Sequence, residues 1–298
     1  MILGEAPSCP LTHETIELSV PNVLVTAEIP IVSVSTPFSS GPSDGPDDTA
    51  TVLAAGVLAA TLAAVFHETI GHGIGCVAVG GDVTLLTSIW FRCHGATSLT
   101  DAGGAIAGVI FGALALGVPL QRVHNHAMRL MLLMFGAISL LWVAAQLIAH
   151  PAFDRDDWHF IAMRMHWPWI WRPLMAVIGV LGYAAIVRWI AVLLRSAAAP
   201  GPRAIRLAYL GSAVSAAFAG LMWSPESIRS AVEGLLTLGV APLGLLVASS
   251  SRAVQKHAGA GTIARSWSFL VLAPVIFATF ALVQGRGLGP LANVALRQ

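Results

Sequence analysis

Charge is what this 298-residue sequence has least of: only 10% of its residues are Asp, Glu, Lys or Arg, where about a quarter is usual for a soluble domain. With 56% hydrophobic residues and a mean hydropathy of +0.78, most of its surface is not built to face water. The chain reads as a multi-pass membrane protein. Sixteen basic and fifteen acidic residues leave a formal charge of +1. No Lys/Arg cluster or basic-aromatic interleaving gives the footprint of a nucleic-acid binder, and that class is excluded. Cysteine is scarce too. Cys9, Cys76 and Cys93 are too few and too scattered for a disulfide scaffold or a Cys-based zinc cage, and leave room for one Cys76–Cys93 bridge. Basic residues are missing altogether from positions 1–48, where seven acids stand (Glu5, Glu14, Glu17, Glu28, Asp44, Asp47, Asp48). That argues against a signal peptide, which needs a basic start and an apolar h-region, and marks an acidic soluble tail. Within it, Ile29 to Val34 is β-branched enough for a short strand, and Ser39 to Asp48 is a Ser/Gly/Pro/Asp linker.

From Thr49 onward, apolar stretches long enough to cross the hydrocarbon core recur between short polar breaks. They lie near 49–80, 102–120, 127–149, 173–195, 204–222, 229–250 and 267–283. The expected fold is an all-α polytopic membrane protein of about six to seven transmembrane helices, with a small β-like insert after the first. It divides into the tail (1–48), a core of helix, insert, two helices and acidic loop (49–160), and additional transmembrane helices (161–298). Trp158, Trp167, Trp169 and Trp171 read as an interfacial aromatic belt. Eight basic residues fall on one side of this arrangement and seven on the other, so the charge count sets no orientation. Gly104, Gly108 and Gly112 form a GxxxGxxxG run, which reads as helix packing.

The first span carries the chemistry, as Val65-Phe66-His67-Glu68-Thr69-Ile70-Gly71-His72-Gly73. Three ionisable groups in a hydrocarbon-length helix cost several kcal/mol unless paired, hydrated or metal-bound, which makes them a functional site by default. Two histidines and a glutamate are what hydrolytic zinc needs: neutral imidazoles hold the ion, and the carboxylate accepts a proton from the attacking water. In H-E-x-x-H the histidines are four apart, whereas His67 and His72 are five apart. On a straight α-helix they would diverge by roughly 140°. A π-type turn closes an i to i+5 interval, and Gly71 is a natural place for that departure. The spacing is similar to the H-E-x-x-G-H of zinc peptidases of the dipeptidyl peptidase III type. The tail repeats the first four letters as His13-Glu14-Thr15-Ile16, with Leu18 where the second histidine would stand.

Beyond the motif come Gly80-Gly81-Asp82, a Thr/Ile/Trp-rich stretch from Val83 to Phe91, and Thr100-Asp101-Ala102-Gly103-Gly104 at the start of the second span. Over roughly residues 50–160 this order resembles the site-2-protease-like intramembrane zinc metalloproteases. The resemblance implies a zinc motif in the first core helix, a β-hairpin after it, an Ala-Gly turn opening the second helix, and a ligand aspartate near the third. The chain departs from that pattern in its longer histidine spacing and in having no Asp-Gly after the third span. His150-Pro151-Ala152-Phe153-Asp154-Arg155-Asp156-Asp157 stands there instead. Asp156 keeps the family's Pro to Asp interval, and Asp157 takes the glycine place. Either could be the third metal ligand, and an acidic interfacial loop neutralised by Arg155 is the alternative for the whole segment.

The resemblance implies a zinc-dependent endopeptidase that cleaves within or near the membrane. His67, His72 and Asp156 or Asp157 would hold Zn2+, and Glu68 would be the catalytic base. The partners would be the lipid bilayer and a membrane-protein or peptide substrate, in a cell membrane. The rival expectation is a non-catalytic membrane protein, either a transporter or a protease-derived scaffold that binds partner helices. Among the other candidates, His94 beside Cys93 is a weak metal signal. His124 and His126 read as loop residues. His150, His159 and His166 flank the acidic loop, where a haem pair ranks low. Glu233 reads as an intramembrane carboxylate or as one that reaches the interface.

Overall fold

The structure, a computed structural model, describes residues 17–20, 23–26, 46–154, 157–164, 168–195, 199–251 and 262–294. The chain forms two units, Met1–Gly41 and Pro42–Gln298. In the first, β1 (Glu17–Val20) and β2 (Val23–Thr26) pair antiparallel, with Glu17 opposite Thr26 and Val20 opposite Val23. Neither strand is among those expected from the sequence. The strand expected at Ile29 to Val34 lies outside the described residues.

The second unit is an all-α polytopic membrane fold. Among the described residues, six helical stretches are long and apolar enough to cross a membrane: Thr49–Ala78, Ser98–Gly117, His126–Pro151, Trp169–Leu193, Pro202–Leu221 and Ser224–Ser249. A seventh apolar helix, Trp267–Val283, has 17 residues, which is roughly 25 Å of helix. The first stretch begins at α1 (Thr49–Ala64), capped by Asp48, whose side chain accepts from the Thr51 N–H at 2.9 Å and from its hydroxyl at 2.7 Å. Those bonds hold the Asp48 carboxyl below its ordinary range. A π-helical segment (Val65–Gly73) and α2 (Ile74–Ala78) complete that stretch.

Small residues let α1 approach α7 (Pro202–Leu221) closely. A Cβ on Gly56 would fall 1.9 Å from the Ala208 carbonyl oxygen, and one on Gly211 would fall 2.7 Å from that of Leu53. In lipid, where apolar side chains gain nothing by leaving hydrocarbon, such backbone contact is what helix association rests on. The helix α4 (His126–Phe153) is the centre of the bundle, burying Leu130, Leu133, Met134, Ile138 and Leu141. By contrast α6 (Pro168–Leu193) turns Val177, Val180 and Leu181 outward, as a lipid-facing helix does. The sixth stretch contains α8 (Ser227–Leu235), a π-turn (Leu236–Val240) and α9 (Leu243–Ser249), and α10 (Trp267–Val283) follows.

The expected insert is a hairpin of β3 (Asp82–Leu86) and β4 (Phe91–His94), antiparallel with Asp82 opposite His94 and Leu86 opposite Phe91. The Cys76–Cys93 disulfide ties it to α2. The other edge of β3 is taken by the chain's own C-terminal segment. The Leu86 N–H donates to the Leu288 carbonyl at 3.0 Å, the Leu288 N–H returns the bond at 2.8 Å, and the Leu291 N–H donates to Thr84 at 3.0 Å. Gly289, at φ +98°, permits this approach, since a Cβ there would meet the Thr84 carbonyl oxygen at 2.5 Å.

Two local expectations are corrected. Ala102 and Gly103 do not form a turn: α3 (Ser98–Gly117) starts before them, because Thr97 and Thr100 make a reciprocal capping box that sets the helix start earlier. The third span does not end before His150 but runs past Pro151 to Phe153. A proline in the last turn removes one backbone bond without breaking the helix. The expected loop then becomes α5 (Asp157–Arg164), with Asp157 as its first residue.

Candidate metal centre

The five-residue interval between His67 and His72 is closed by a π-helix over Val65–Gly73. A π-turn closes an i to i+5 interval, so the two imidazoles share one face, with ring centroids 5.0 Å apart. His67, Glu68, Gly71 and His72 are all buried. Gly71 is not needed for an unusual dihedral, since its φ is not positive. It is needed for contact: a Cβ on Gly71 would stand 2.6 Å from both the Gly103 carbonyl oxygen and the Gly104 Cα. The second span thus lies directly against the π-segment.

Asp157 closes the group. Its Oδ2 lies 3.0 Å from Nε2 of His67 and its Oδ1 lies 3.1 Å from Nε2 of His72. Ligand atoms of these three residues all fall within 4.8 Å of one another. Burial pushes the Asp157 carboxyl up, but the His72 imidazole and the hydrogen bonds with both histidines outweigh it and hold the group below the usual carboxylate range. Asp156, the other candidate ligand, lies outside the described residues, as does Arg155.

Hydrogen bonding fixes how His72 presents itself. Its Nδ1–H donates to the Thr100 carbonyl at 2.8 Å, which leaves the Nε2 lone pair of the neutral ring aimed at the Asp157 carboxylate. Two acceptors facing each other at that distance require a positive charge between them, either a proton or a metal ion. A backbone carbonyl behind a histidine is also the usual outer-shell partner of a metal ligand. His67 is held differently. Its ring stacks on Trp142 with centroids 3.9 Å apart and planes 20° from parallel, and its Nδ1 is buried with no hydrogen-bond partner among the described residues. The donor set, two imidazole nitrogens and a carboxylate, fits zinc with a position left for water.

Several residues of the site carried no local signal in the sequence. Gly104, read as a packing residue, faces the histidines: a Cβ there would stand 2.4 Å from Nε2 of His72 and 2.5 Å from Nε2 of His67. Gln146 on α4 donates to Asp157 Oδ2 at 3.0 Å. Phe91 of β4 stacks on His72, centroids 5.3 Å apart. Arg164 pins α5 to α3 through Asp101 Oδ2 at 3.0 Å and the Ala96 carbonyl at 2.7 Å. Gln284, from the far end of the chain, accepts from the Thr69 hydroxyl and donates to the Thr87 carbonyl, each at 2.9 Å, and so fastens the insert to the π-segment.

The remaining sequence candidates separate. His94 is at the exposed end of β4, and His150 and His159 come together at the junction of α4 and α5, while His166 lies outside the described residues. Comparison with family models, with characterised proteins and with solved structures finds no match.

Proposed function

We propose that this chain is a membrane-embedded, zinc-dependent endopeptidase of the site-2-protease-like type. The observation that supports this best is the convergence of His67 Nε2 and His72 Nε2 on the two oxygens of one carboxylate, Asp157, with Glu68 buried in the same π-segment. In this reading His67, His72 and Asp157 hold the ion. Zinc supplies Lewis acidity, lowering the proton affinity of a water and polarising a carbonyl. Glu68 takes the proton released as water attacks the scissile carbonyl and returns it to the leaving amine. Thr100 keeps His72 in the tautomer that presents Nε2, and Gln146 orients Asp157.

The substrate is a membrane protein or peptide in extended form, because a peptide bond inside an intact helix is hydrogen-bonded and shielded. The insert supplies an edge for it. One side of β3 pairs with β4 and the other is occupied by Leu288, whereas the outer edge of β4 has no backbone partner among the described residues. A substrate strand added along β4 runs beside Phe91 and therefore beside His72. The Cys76–Cys93 bridge stands at this same end of the first span. Disulfides persist in oxidising compartments, so the reading places the protein in the cell membrane with the site end facing away from the cytoplasm.

The test is cleavage of a library of quenched fluorescent peptides by the zinc-loaded protein in detergent, wild type beside Glu68→Gln. The peptidase reading requires cleavage by the wild type and a loss of about 100-fold or more in Glu68→Gln, with zinc content unchanged. Equal turnover by both proteins, or none by the wild type at full zinc occupancy, favours the non-catalytic membrane scaffold or transporter.

A further inference from the structure

Two described carboxylates at the α4–α5 junction belong to different groups. Asp157 faces the His67–His72 pair, while Asp154 belongs to a cluster with His150 and His159 whose ligand atoms also lie within 4.8 Å of one another. His150 is completely buried in the last turns of α4. Asp154 ends that helix in the left-handed region at φ +50°, its N–H bonded to the His150 carbonyl at 3.0 Å. Few non-glycine residues adopt this conformation, and aspartate is among those that do. The turn brings Asp154 Oδ1 within 3.6 Å of His159 Nδ1 on α5, and the His150 and His159 rings lie 5.8 Å apart.

Two imidazoles and a carboxylate are the ligand set of zinc and neighbouring divalent transition metals. In the present arrangement the Arg172 guanidinium is paired with Asp154 Oδ1, so a positive charge already stands where the cluster asks for one. The Arg172 side chain is partly exposed and can leave to solvent. We propose that His150, Asp154 and His159 form a second divalent-metal site, of the zinc class, separate from the His67–His72–Asp157 group. An ion there staples α5 to the end of α4. Competition from Arg172 makes this the weaker and more exchangeable of the two sites.

The experiment counts zinc on the full-length, detergent-purified protein after chelator stripping, reloading with zinc and gel filtration. A His67→Ala/His72→Ala variant, which lacks the first group, should retain about one zinc per chain, and adding Asp154→Ala and His159→Ala should remove it. Asp154 and His159 are not deeply buried, so these changes leave the bundle core untouched. If the His67/His72 variant does not fold, Asp154→Ala/His159→Ala in the wild type should lower the count from about two to one. Arg172→Ala should tighten this second zinc several-fold. The proposal is overturned if the His67/His72 variant folds and holds no zinc, if the zinc it holds survives loss of Asp154 and His159, or if Arg172→Ala weakens it. Failure of the first group is read separately, as a zinc count that does not fall on removing His67 and His72.

Discussion

Gly71 and Gly103 meet backbone to backbone across the first and second spans: a Cβ on Gly103 would stand 2.3 Å from the Gly71 carbonyl oxygen, closer than any real contact permits. The π-segment that unites His67 and His72 is therefore seated on α3 by a pair of glycines. Alanine at either position must push the two helices apart. A loss of roughly 1–3 kcal/mol is expected for Gly71→Ala, the usual cost of overpacking, seen as a lower unfolding temperature in detergent. Unchanged stability would mean that the close contact is not maintained.

Gly104→Ala separates packing from chemistry. The added methyl would lie within 2.5 Å of both Nε2 atoms, in the space beside the ligand nitrogens. Zinc bound by the His67–His72–Asp157 group should be lost. Gly112→Ala is the matched control, since the nearest atoms to its methyl would be those of Leu140, Ser139 and the Gly136 carbonyl, at 3.0 Å or more. It should keep the metal even if it lowers stability. Loss of zinc in both variants would show that general loosening of α3, not the cradle at Gly104, is responsible.

Gln146→Leu removes the amide that donates to Asp157 Oδ2 at 3.0 Å. Outer-shell partners of ligating groups typically contribute roughly 10- to 100-fold in metal affinity, and a weakening of that order is expected in competition with a chromophoric chelator. An affinity equal to that of the wild type would place Gln146 outside the site's support.

The Cys76–Cys93 bridge leaves Cys9 as the single remaining cysteine of the three in the chain. Denatured without reductant, the protein should take up about one maleimide, and after reduction about three. Cys76→Ser/Cys93→Ser should lower stability by roughly 2–4 kcal/mol, the usual contribution of such a bridge. Three reactive thiols before reduction would contradict both the bridge and the sidedness drawn from it.

Much of this architecture was legible in the chain. The six long spans and the short seventh follow from apolar run length, and the i to i+5 interval of His67 and His72 already required a π-turn, which the structure contains. The choice between Asp156 and Asp157 was not legible, because it depends on where α5 begins, and three acids within four positions give the same local signal. Gly104 was legible as a close-packing position, but GxxxG spacing reports close helix approach without saying what approaches, here the two histidine rings. Gln146 and Gln284 reach their partners from 11 and 197–215 residues away in sequence, through packing that no local pattern encodes. In the tail the β1–β2 hairpin went unread, although its two short apolar runs flank a Pro-Asn break.

The proposed metal centre consists of His67, His72 and Asp157 around one ion. It is tested most directly by counting zinc in Asp154→Ala/His159→Ala protein, so that only this group is measured, beside the same protein carrying His67→Ala, His72→Ala or Asp157→Ala. About one zinc per chain that survives dialysis against a weak chelator, and is lost in each of the three, is the expected result. A folded protein that holds no zinc, or zinc that persists after either histidine is removed, would contradict it.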